Sequence, residues 1–582
     1  MRSIIYAVIV SLLSTFIISA HTPHAYASMS EATPILLNQH IPGTITDVAQ
    51  KDFYKVSLPS DGNLHVAMKN VLNASWHMTV LDDKGNQLDD ITTDKSATAE
   101  NSEVQVGLTQ GDYYIEVENS SNSTGVAYDL STLFESSPYF EKENNDSLAT
   151  ATPISFDHPY KGNLSTINDQ DYYKVVVEHD GNLSLSIQQQ SNASWGGFIF
   201  NSKGEVLEYI NNNKEIPLSA SDNFTQIGVA KGTYYIQIVF QKESVHNPYT
   251  FSVGFTSSDF FEKELNDNVT SANQILLNQP YTGTINEYYD NDYFKFTLPA
   301  DGNITFSMKQ KPNASWYAYI LDAKGEVYAW NWTESGQTPA ENLDLTVGLP
   351  KGTYYIKISP YYFATDIPYQ FTVKYTASPY YEKEFNNTLS SANPILLNQS
   401  YVGILQNGND KDFYKVTVNQ TGYVEFKMSN LAPGMSWINR ILNSSGREIK
   451  RFTTGYSKGY TLFKTYLQKG TYYINVTDNG TTLTYPYELK VAQYSNPLAA
   501  TQLTIKNNKN KADVIAISKA AKGDVIKVYN TKKQLISSKT STGTSVSATV
   551  KQLGAAAGTI YVTVTHSGML ESDYTVKKFS KE

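Results

Sequence analysis

Three copies of a short acidic segment contain the residues of this sequence best suited to bind a metal ion. They are Glu141-Lys142-Glu143-Asn144-Asn145-Asp146, Glu262-Lys263-Glu264-Leu265-Asn266-Asp267 and Glu382-Lys383-Glu384-Phe385-Asn386-Asn387. Each copy places two glutamates close to further Asn or Asp oxygens, and such oxygens are the ligands that hard cations such as Ca²⁺ prefer. The pattern therefore indicates a metal-binding linker.

A solvated turn is the alternative interpretation, because Asn and Asp side chains hydrogen-bond their own backbone and tolerate turn geometry. A second acidic pair nevertheless follows every copy at a matching place. The pairs are Asp169 and Asp171, Asp290 and Asp292, and Asp410 and Asp412. This recurrence favours a metal site over independent turns.

Four tryptophans mark an internal repeat, since Trp76, Trp195, Trp316 and Trp437 are spaced by 119, 121 and 121 residues. A period of this length is typical of whole domains rather than of solenoid units. Within each copy, short β-branched and aromatic segments alternate with Gly-centred turns, as strands do. The sequence thus predicts an all-β protein of tandem jelly-roll β-sandwich modules.

The period ends near Asn496, where alternating apolar residues predict a small immunoglobulin-like β-sandwich instead. We call the four repeats modules 1 to 4. The predicted boundaries are a signal peptide at 1–27, module 1 at 28–135, module 2 at 136–256, module 3 at 257–377, module 4 at 378–495 and the immunoglobulin-like domain at 496–582.

Composition narrows the protein class further. An apolar run from Ile4 to Ala20, followed by Ala25-Tyr26-Ala27, is typical of a secretory signal peptide. The chain has no Cys, which excludes disulfides and thiolate metal sites, and its formal net charge of −10 argues against nucleic-acid binding. We expect a secreted protein, extracellular or cell-wall associated, without membrane insertion.

The ordered motifs Glu-Lys-Glu-x-Asn-Asp, Asp-x-Asp, Ser-Trp and Gly-Thr-Tyr-Tyr together resemble the bacterial pre-peptidase C-terminal domain, and are similar to the collagen-binding domains of clostridial collagenases. The similarity covers four modules. It implies a jelly-roll sandwich in which Ca²⁺ is bound between the N-terminal linker and a loop of the same domain.

The same resemblance implies that each ligand set combines linker oxygens with the downstream acidic pair. The sets are Glu141, Glu143, Asn145, Asp146, Asp169 and Asp171 in module 2; Glu262, Glu264, Asn266, Asp267, Asp290 and Asp292 in module 3; and Glu382, Glu384, Asn386, Asn387, Asp410 and Asp412 in module 4. Asn387 replaces a linker Asp, which lowers the ligand charge of the last set.

Module 1 is an internal control. The position equivalent to the first Glu falls on Thr22, inside the predicted signal peptide, and Gln50-Lys51-Asp52 replaces Asp-x-Asp. Both halves of the proposed site are therefore missing together, as a shared ligand set requires.

Surface aromatics contact the ligand in the collagen-binding relatives, and one of them is a Trp that matches Trp76, Trp195, Trp316 and Trp437. The alternative is that these Trp side chains fill the core, since Met78 and Val80 are in phase with Trp76. A second contact Tyr of the relatives falls on non-aromatic residues here. Module 3 carries further aromatics and is the predicted main ligand face: Tyr317, Tyr319, Trp330, Trp332, Tyr361, Tyr362 and Phe363.

The His-Glu-x-x-His motif is missing from the sequence, and the chain has no Cys that could act as a nucleophile. Gly-x-Ser-x-Gly occurs once, as Gly455-Tyr456-Ser457-Lys458-Gly459, but it lies among predicted strands and lacks the strand–turn–helix context that this motif requires. We predict a non-enzymatic protein that binds an extracellular polymer, either a collagen-like protein or a polysaccharide, or a cell-wall or matrix surface. One alternative is a structural spacer or cell-wall-associated surface protein without a specific ligand. A further alternative is an uncharacterised glycan hydrolase that uses the paired carboxylates.

Overall fold

The computed structural model describes residues 28–96, 101–121, 123–190, 192–210, 223–334, 342–362, 364–365, 367–431, 433–457, 459–480 and 485–582. The predicted signal peptide lies outside these residues. By its internal contacts the chain divides into two compact units, Met1–Leu265 and Asn266–Glu582. The domain boundaries given above stay a prediction.

The first nine strands show the arrangement that every module repeats. They are β1 (Thr33–Pro34), β2 (His40–Thr44), β3 (Lys51–Leu58), β4 (Gly62–Lys69), β5 (Trp76–Leu81), β6 (Gln87–Thr92), β7 (Asn101–Leu108), β8 (Gly111–Asn119) and β9 (Ala127–Ser136). Two sheets form, in the orders β1-β3-β8-β5-β6 and β2-β9-β4-β7. Because consecutive strands mostly change sheet, the result is a jelly roll, and the predicted fold is confirmed.

Module 2 repeats these two sheets in the first unit. Its strands are β10 (Thr152–Pro153), β11 (Pro159–Gly162), β12 (Gln170–Val177), β13 (Gly181–Gln188), β14 (Ser194–Phe200), β15 (Val206–Ile210), β16 (Asn223–Val229), β17 (Gly232–Lys242) and β18 (Tyr249–Ser257). The sheet orders are β10-β12-β17-β14-β15 and β11-β18-β13-β16. Burial alternates along β13, so its apolar residues face the other sheet and its polar residues face outward.

The second unit contains modules 3 and 4, built in the same way. The strands of module 3 are β19 (Asn273–Gln274), β20 (Pro280–Thr284), β21 (Asp292–Leu298), β22 (Gly302–Lys309), β23 (Ser315–Leu321), β24 (Val327–Trp332), β25 (Asn342–Leu349), β26 (Gly352–Tyr362) and β27 (Pro368–Ala377). The strands of module 4 are β28 (Asn393–Ile395), β29 (Ser400–Gly403), β30 (Asp412–Val418), β31 (Gly422–Asn430), β32 (Trp437–Leu442), β33 (Glu448–Thr453), β34 (Gly459–Leu467), β35 (Gly470–Asp478) and β36 (Tyr487–Gln493). Their sheet orders are β19-β21-β26-β23-β24 with β20-β27-β22-β25, and β28-β30-β35-β32-β33 with β29-β36-β31-β34.

A seven-stranded sandwich of different order ends the chain. Its strands are β37 (Leu503–Lys506), β38 (Asp513–Ser518), β39 (Val525–Tyr529), β40 (Leu535–Thr540), β41 (Ser545–Val550), β42 (Gly558–Thr565) and β43 (Thr575–Phe579). The sheets run β37-β38-β41 and β40-β39-β42-β43, which is the immunoglobulin-like arrangement predicted from sequence. The helical elements among the described residues are two short 3-10 turns, Met29–Glu31 and Ala500–Gln502, and none of these elements is long and apolar enough to cross a membrane.

The four repeat-marking tryptophans belong to the cores. Trp76, Trp195 and Trp316 are 0% exposed and Trp437 is 4% exposed. Each packs edge-on against a buried Tyr of the facing sheet, as in the Trp76–Tyr128 pair with ring centroids 5.9 Å apart. The prediction that these four side chains contact a ligand is therefore wrong, because their strand alternation points them inward together with Met78 and Val80.

Three of the aromatic side chains predicted for the surface of module 3 are exposed to solvent, unlike the four core tryptophans. Trp330 is 49% exposed, Trp332 42% and Tyr361 45%. The Tyr362 side chain and Phe363 lie outside the described part of the chain.

We expect Trp316→Ala to lower the free energy of opening of module 3 by about 3–5 kcal/mol, because it removes a fully buried ring and leaves a cavity. Hydrogen exchange read by mass spectrometry on peptides of β23 and β26 measures this module by itself. Trp332→Ala is the exposed control, and we expect a change below about 1 kcal/mol. Equal effects of the two substitutions would contradict the assignment of Trp316 to the core.

Candidate metal centre

The linker between modules 1 and 2 brings three predicted ligands together. One carboxylate oxygen from each of Glu141, Glu143 and Asp171 lies within 4.8 Å of the others. Glu141 and Asp171 are buried, and Glu143 is partly buried. A buried group of three acids with this spacing could hold a metal ion.

Backbone hydrogen bonds hold this linker against both modules of the first unit. The Glu143 N–H donates to the carbonyl of Gly107 in module 1, at 3.0 Å. The Glu141 N–H donates to Lys161, and the carbonyl of Asn145 accepts from Tyr172, both in module 2 and both at 2.9 Å. The acids therefore occupy fixed positions between two sandwiches.

Two residues of the preceding module receive the linker, and sequence reasoning missed them. A Cβ on Gly107 would lie 2.3 Å from the carbonyl oxygen of Glu141, so only glycine permits this approach. Asp61 pairs with the linker Lys142, with Nζ and Oδ2 2.5 Å apart. The upstream module is thus part of the site.

The sequence does contain a signal for these receiving residues. The Asp and the Gly recur as Asp180 with Gly228 and as Asp301 with Gly348, in the two other modules that precede an acidic linker. Module 4 precedes no such linker and has Thr421 and Tyr466 at these places, as the pairing of Tyr423 with Tyr466 shows. The receiving Asp and Gly are therefore present in the three modules that precede an acidic linker and absent from module 4, which precedes none.

The same geometry recurs in the second unit between modules 3 and 4. Carboxylate oxygens of Glu382, Glu384 and Asp412 lie within 4.8 Å of one another, and all three side chains are buried. The Glu384 N–H donates to the Gly348 carbonyl at 3.1 Å, and Lys383 forms an ion pair with Asp301. A Cβ on Gly348 would lie 2.0 Å from the Glu382 carbonyl oxygen.

Burial and mutual repulsion make these carboxyls hard to ionise. In module 2, burial raises the pKa of Glu141 and of Asp171 well above the usual range, and the negative charge of neighbouring acids raises both further. The pKa of Glu143 is raised by burial and by Asp171. In module 4, burial and the charge of Asp410 raise the pKa of Glu384 to about 9. A cation placed among these groups would remove that penalty.

The module 4 cluster also contains oxygens without donors. Among the described residues, Glu384 Oε1, Asn386 Oδ1 and Asp412 Oδ1 are buried and receive no hydrogen bond. Leaving a buried oxygen unsatisfied costs about 1–3 kcal/mol, more for a charged group. Glu384 and Asp412 also place a carboxylate oxygen within 4.8 Å of each other, so the cluster offers oxygen donors that fit a hard cation.

The remaining oxygens of that cluster are oriented by the protein. Tyr487 donates its hydroxyl to Asp412 Oδ2, and Tyr414 donates to Glu382 Oε2 at 3.1 Å. The backbone N–H of Ile404 donates to Glu382 Oε1. Glu382 is therefore held through both of its oxygens, whereas Oε1 of Glu384 and Oδ1 of Asp412 stay available for a further ligand.

In module 1, Asp52 stands at the position of Asp412 and has both of its carboxylate oxygens hydrogen-bonded. Tyr128 donates to Asp52 Oδ2 at 2.6 Å, as Tyr487 does to Asp412. The second oxygen of Asp52 accepts from Gln50 Nε2 at 2.9 Å. The Gln50 amide therefore donates to the second oxygen of Asp52, whereas the second oxygen of Asp412 receives no hydrogen bond from the described residues.

The other predicted ligands differ in their surroundings. Asp146 is exposed beside Asp169, and its pKa is raised by partial burial and by that neighbour. Asp410 is buried and accepts from the backbone N–H groups of Gln406 at 2.7 Å and Lys411 at 2.8 Å. Asn387 is exposed, and its Oδ1 accepts from Lys411 at 3.1 Å. Asp146 and Asn387 are therefore open to solvent, whereas Asp410 is buried with hydrogen bonds from two backbone N–H groups.

The set predicted for module 3 is divided between the two units. In the first unit, Glu262 is buried and the Glu264 N–H donates to Gly228 at 3.1 Å. In the second unit, Asn266 and Asp292 are buried, Asp267 is exposed, and burial raises the pKa of Asp290 to about 6.

Comparison with known proteins gives one family match. Residues 50–119, within module 1, match the model described as the bacterial pre-peptidase C-terminal domain. The comparison with curated proteins gives no match.

Solved structures with similar parts include two bacterial domains. The pre-peptidase C-terminal domain of a collagenase from Bacillus anthracis is 24% identical, with 17% of this chain and 93% of that chain covered and a TM-score of 0.15. The adhesin domain of Epf from Streptococcus pyogenes is 12% identical, with 31% and 80% covered and a TM-score of 0.17.

The matched range includes β3 to β8, and the same strand order returns in modules 2, 3 and 4. The chain therefore carries pre-peptidase C-terminal-like domains, as its motifs predict.

Proposed function

We propose that the chain is an extracellular binding protein whose sandwich modules are joined by Ca²⁺-dependent linkers. The observation that carries the proposal is the group of three buried oxygens without donors at Glu384, Asn386 and Asp412. Oxygen donors of this kind suit Ca²⁺, whereas Zn²⁺ prefers nitrogen and sulfur.

Glu382, Glu384 and Asp412 would hold the ion in module 4, and Glu141, Glu143 and Asp171 would hold it in module 2. When bound, the ion supplies the positive charge that lets these carboxyls ionise while buried. The protein contributes the positions of the oxygens, which the linker backbone fixes through Gly107 and Gly348.

The consequence of binding is mechanical. The linkers before modules 2 and 4 each contact the module before and the module after them, so ordering such a linker restrains two sandwiches at once. Binding to the ordered form alone stabilises that form by mass action. At the affinities common for extracellular Ca²⁺ modules, about 10⁻⁴ to 10⁻³ M, the linkers would be ordered outside the cell.

A binding role is favoured over a structural spacer by the exposed aromatics of module 3, since a spacer has no need to expose Trp330 and Trp332. We assign no catalytic role to the acids, because Glu141, Asp171, Glu382 and Asp412 are buried and each already accepts a hydrogen bond from a Tyr hydroxyl or a backbone N–H.

We expect Asp412→Asn and Asp171→Asn each to weaken one Ca²⁺ site by about tenfold or more, because each removes an anionic ligand. Isothermal titration calorimetry of the mature chain measures this change. Asp52→Asn is the matched control, because Asp52 occupies the same place in module 1 but its second oxygen is already satisfied by Gln50.

Asp52→Asn should leave the number of bound ions and their affinities unchanged. If the mature chain binds no Ca²⁺ up to several millimolar, or if Asp52→Asn affects binding as strongly as Asp412→Asn, the metal sites do not exist as proposed.

We also expect a pH dependence that Ca²⁺ suppresses. Glu384 has a pKa of about 9 in the folded chain against 4.5 for an unperturbed Glu, so the folded state holds the proton more tightly. Without metal, the stability that this group contributes is therefore present below about pH 4.5 and is lost as the pH rises toward about 9.

Hydrogen exchange of β30 and β35 in EDTA should accordingly show opening of module 4 becoming easier between about pH 5 and about pH 9. Millimolar Ca²⁺ should flatten this slope, and Glu384→Gln should flatten it without metal. An equally steep slope in Glu384→Gln would assign the effect to other groups.

A further inference from the structure

Module 3 presents a row of rings on the outer face of its five-stranded sheet. Strand register places Trp330 opposite Tyr319, Tyr319 opposite Lys357, and Lys357 opposite Tyr293. A second row runs from Trp332 to Tyr317, and Tyr361 lies beside both of these rings. We call Tyr293, Tyr317, Tyr319, Trp330, Trp332 and Tyr361 the aromatic face.

The five rings of β23, β24 and β26 form one continuous surface. The ring centroids of Tyr319 and Trp330 are 6.2 Å apart with planes inclined by 21°, and those of Trp330 and Trp332 are 6.1 Å apart. Tyr317 and Tyr361 are 4.6 Å apart, and Trp332 and Tyr361 are 6.2 Å apart. Neighbouring rings support one another, so the surface is ordered before any ligand arrives.

The fold does not require aromatics at these places. In module 1, the residues at the positions of Trp330 and Trp332 are Asp90 and Thr92, opposite Thr79 and His77. In module 4, Arg451 lies opposite Arg440 at the position of the Trp330–Tyr319 pair. Both sheets have the strand order of module 3. Module 2 carries the ring pair Phe198–Tyr209 at this position but has Gly196 in place of Tyr317. The six-ring face of module 3 therefore goes beyond what the shared scaffold requires.

The charge of the face restricts its partner. Among the described residues of the two rows, Lys357 is the one charged side chain. Its Nζ lies over the Tyr293 ring at 5.7 Å and over the Tyr319 ring at 5.6 Å, and burial lowers its pKa. A single cation covered by two rings gives a polyanion little to bind, and the whole chain is itself anionic.

The residue types restrict the partner further. All six rings belong to Tyr or Trp, which combine an apolar surface with a hydroxyl or indole N–H. Protein interfaces also use Tyr and Trp, usually together with Arg and Met, and the two rows of module 3 contain neither Arg nor Met among the described residues. Sugar rings present apolar C–H faces edged by hydroxyl groups, which is the complement of such a surface.

We propose that the aromatic face of module 3 binds a neutral polysaccharide chain, with sugar rings stacked on Trp330, Trp332 and the tyrosines beside them. The proposal rests on the binding role argued above, but it needs no metal, because every residue of the face belongs to the sheet of module 3 and not to a linker.

Affinity gel electrophoresis of the mature chain tests this directly, with hydroxyethyl cellulose, barley β-glucan, laminarin and glycol chitin as probes. We expect at least one probe to retard the wild type. The variant Trp330→Ala/Trp332→Ala should lose about tenfold or more in affinity, because exposed Trp anchors dominate such contacts. Trp330→Phe/Trp332→Phe should retain part of it, because Phe keeps a ring for stacking.

The matched control is Asp90→Ala/Thr92→Ala, which changes the same two positions of module 1 and should bind as the wild type does. Hydrogen exchange of β23 and β24 confirms that the Trp variants are folded. Every sample is run in Ca²⁺ and in EDTA, so that loss of metal binding and loss of glycan binding are read separately.

The proposal is overturned if no probe retards the wild type, or if the folded double Ala variant binds as tightly as the wild type. Binding of acid-soluble collagen in a pull-down that the double Ala variant loses, with no glycan bound, would overturn it in favour of a polypeptide ligand. Glycan binding that persists in EDTA and is lost in the double Ala variant would support the aromatic face as the glycan site, whether or not the chain binds Ca²⁺.

Discussion

The burial of several carboxylates under each linker is the constraint on which the junctions depend. Ionised acids placed close together in a dry site repel one another and lose their hydration, so the arrangement is unfavourable unless a cation or a proton compensates. In module 4, burial and the charge of Asp410 raise the pKa of Glu384 to about 9, and oxygens of Glu384, Asn386 and Asp412 are buried without donors among the described residues. Under the proposed metal binding, the stability of the junctions before modules 2 and 4 would depend on the ionic conditions around the protein.

The linker is also a contact between modules, and the module before it is adapted to it. Gly107 and Gly348 allow the backbone to approach, while Asp61 and Asp301 hold the linker lysines. Module 4 has neither feature, and its neighbour is the immunoglobulin-like domain. In module 1, Gln50 satisfies Asp52 where no linker precedes. One scaffold thus exists in versions with a linker site at its start, at its end, or at both.

The residues on the outer face of the five-stranded sheet differ between modules, whereas the core residues are similar. The core Trp is retained in all four modules, but the outward positions of the same sheet carry ionic and polar residues in module 1, the pair Phe198–Tyr209 in module 2, arginines in module 4 and the six-ring face in module 3. Substitutions on a solvated face cost little stability, so a scaffold can acquire a binding surface on one copy without losing its fold. The exposed rings of module 3 are better explained by such a surface than by packing.

The sequence by itself determined the repeat, the all-β class, the jelly-roll modules and the immunoglobulin-like domain, because turn positions and strand alternation are local properties of the chain. It also located the acidic segments, since their residue types and recurrence are visible without a fold. Only the tertiary structure decided that Trp76, Trp195, Trp316 and Trp437 face inward, because a Trp at a strand start can point to either side of a sheet. The roles of Gly107, Asp61 and Gln50 likewise depended on contacts between residues distant in the chain, which no local pattern specifies.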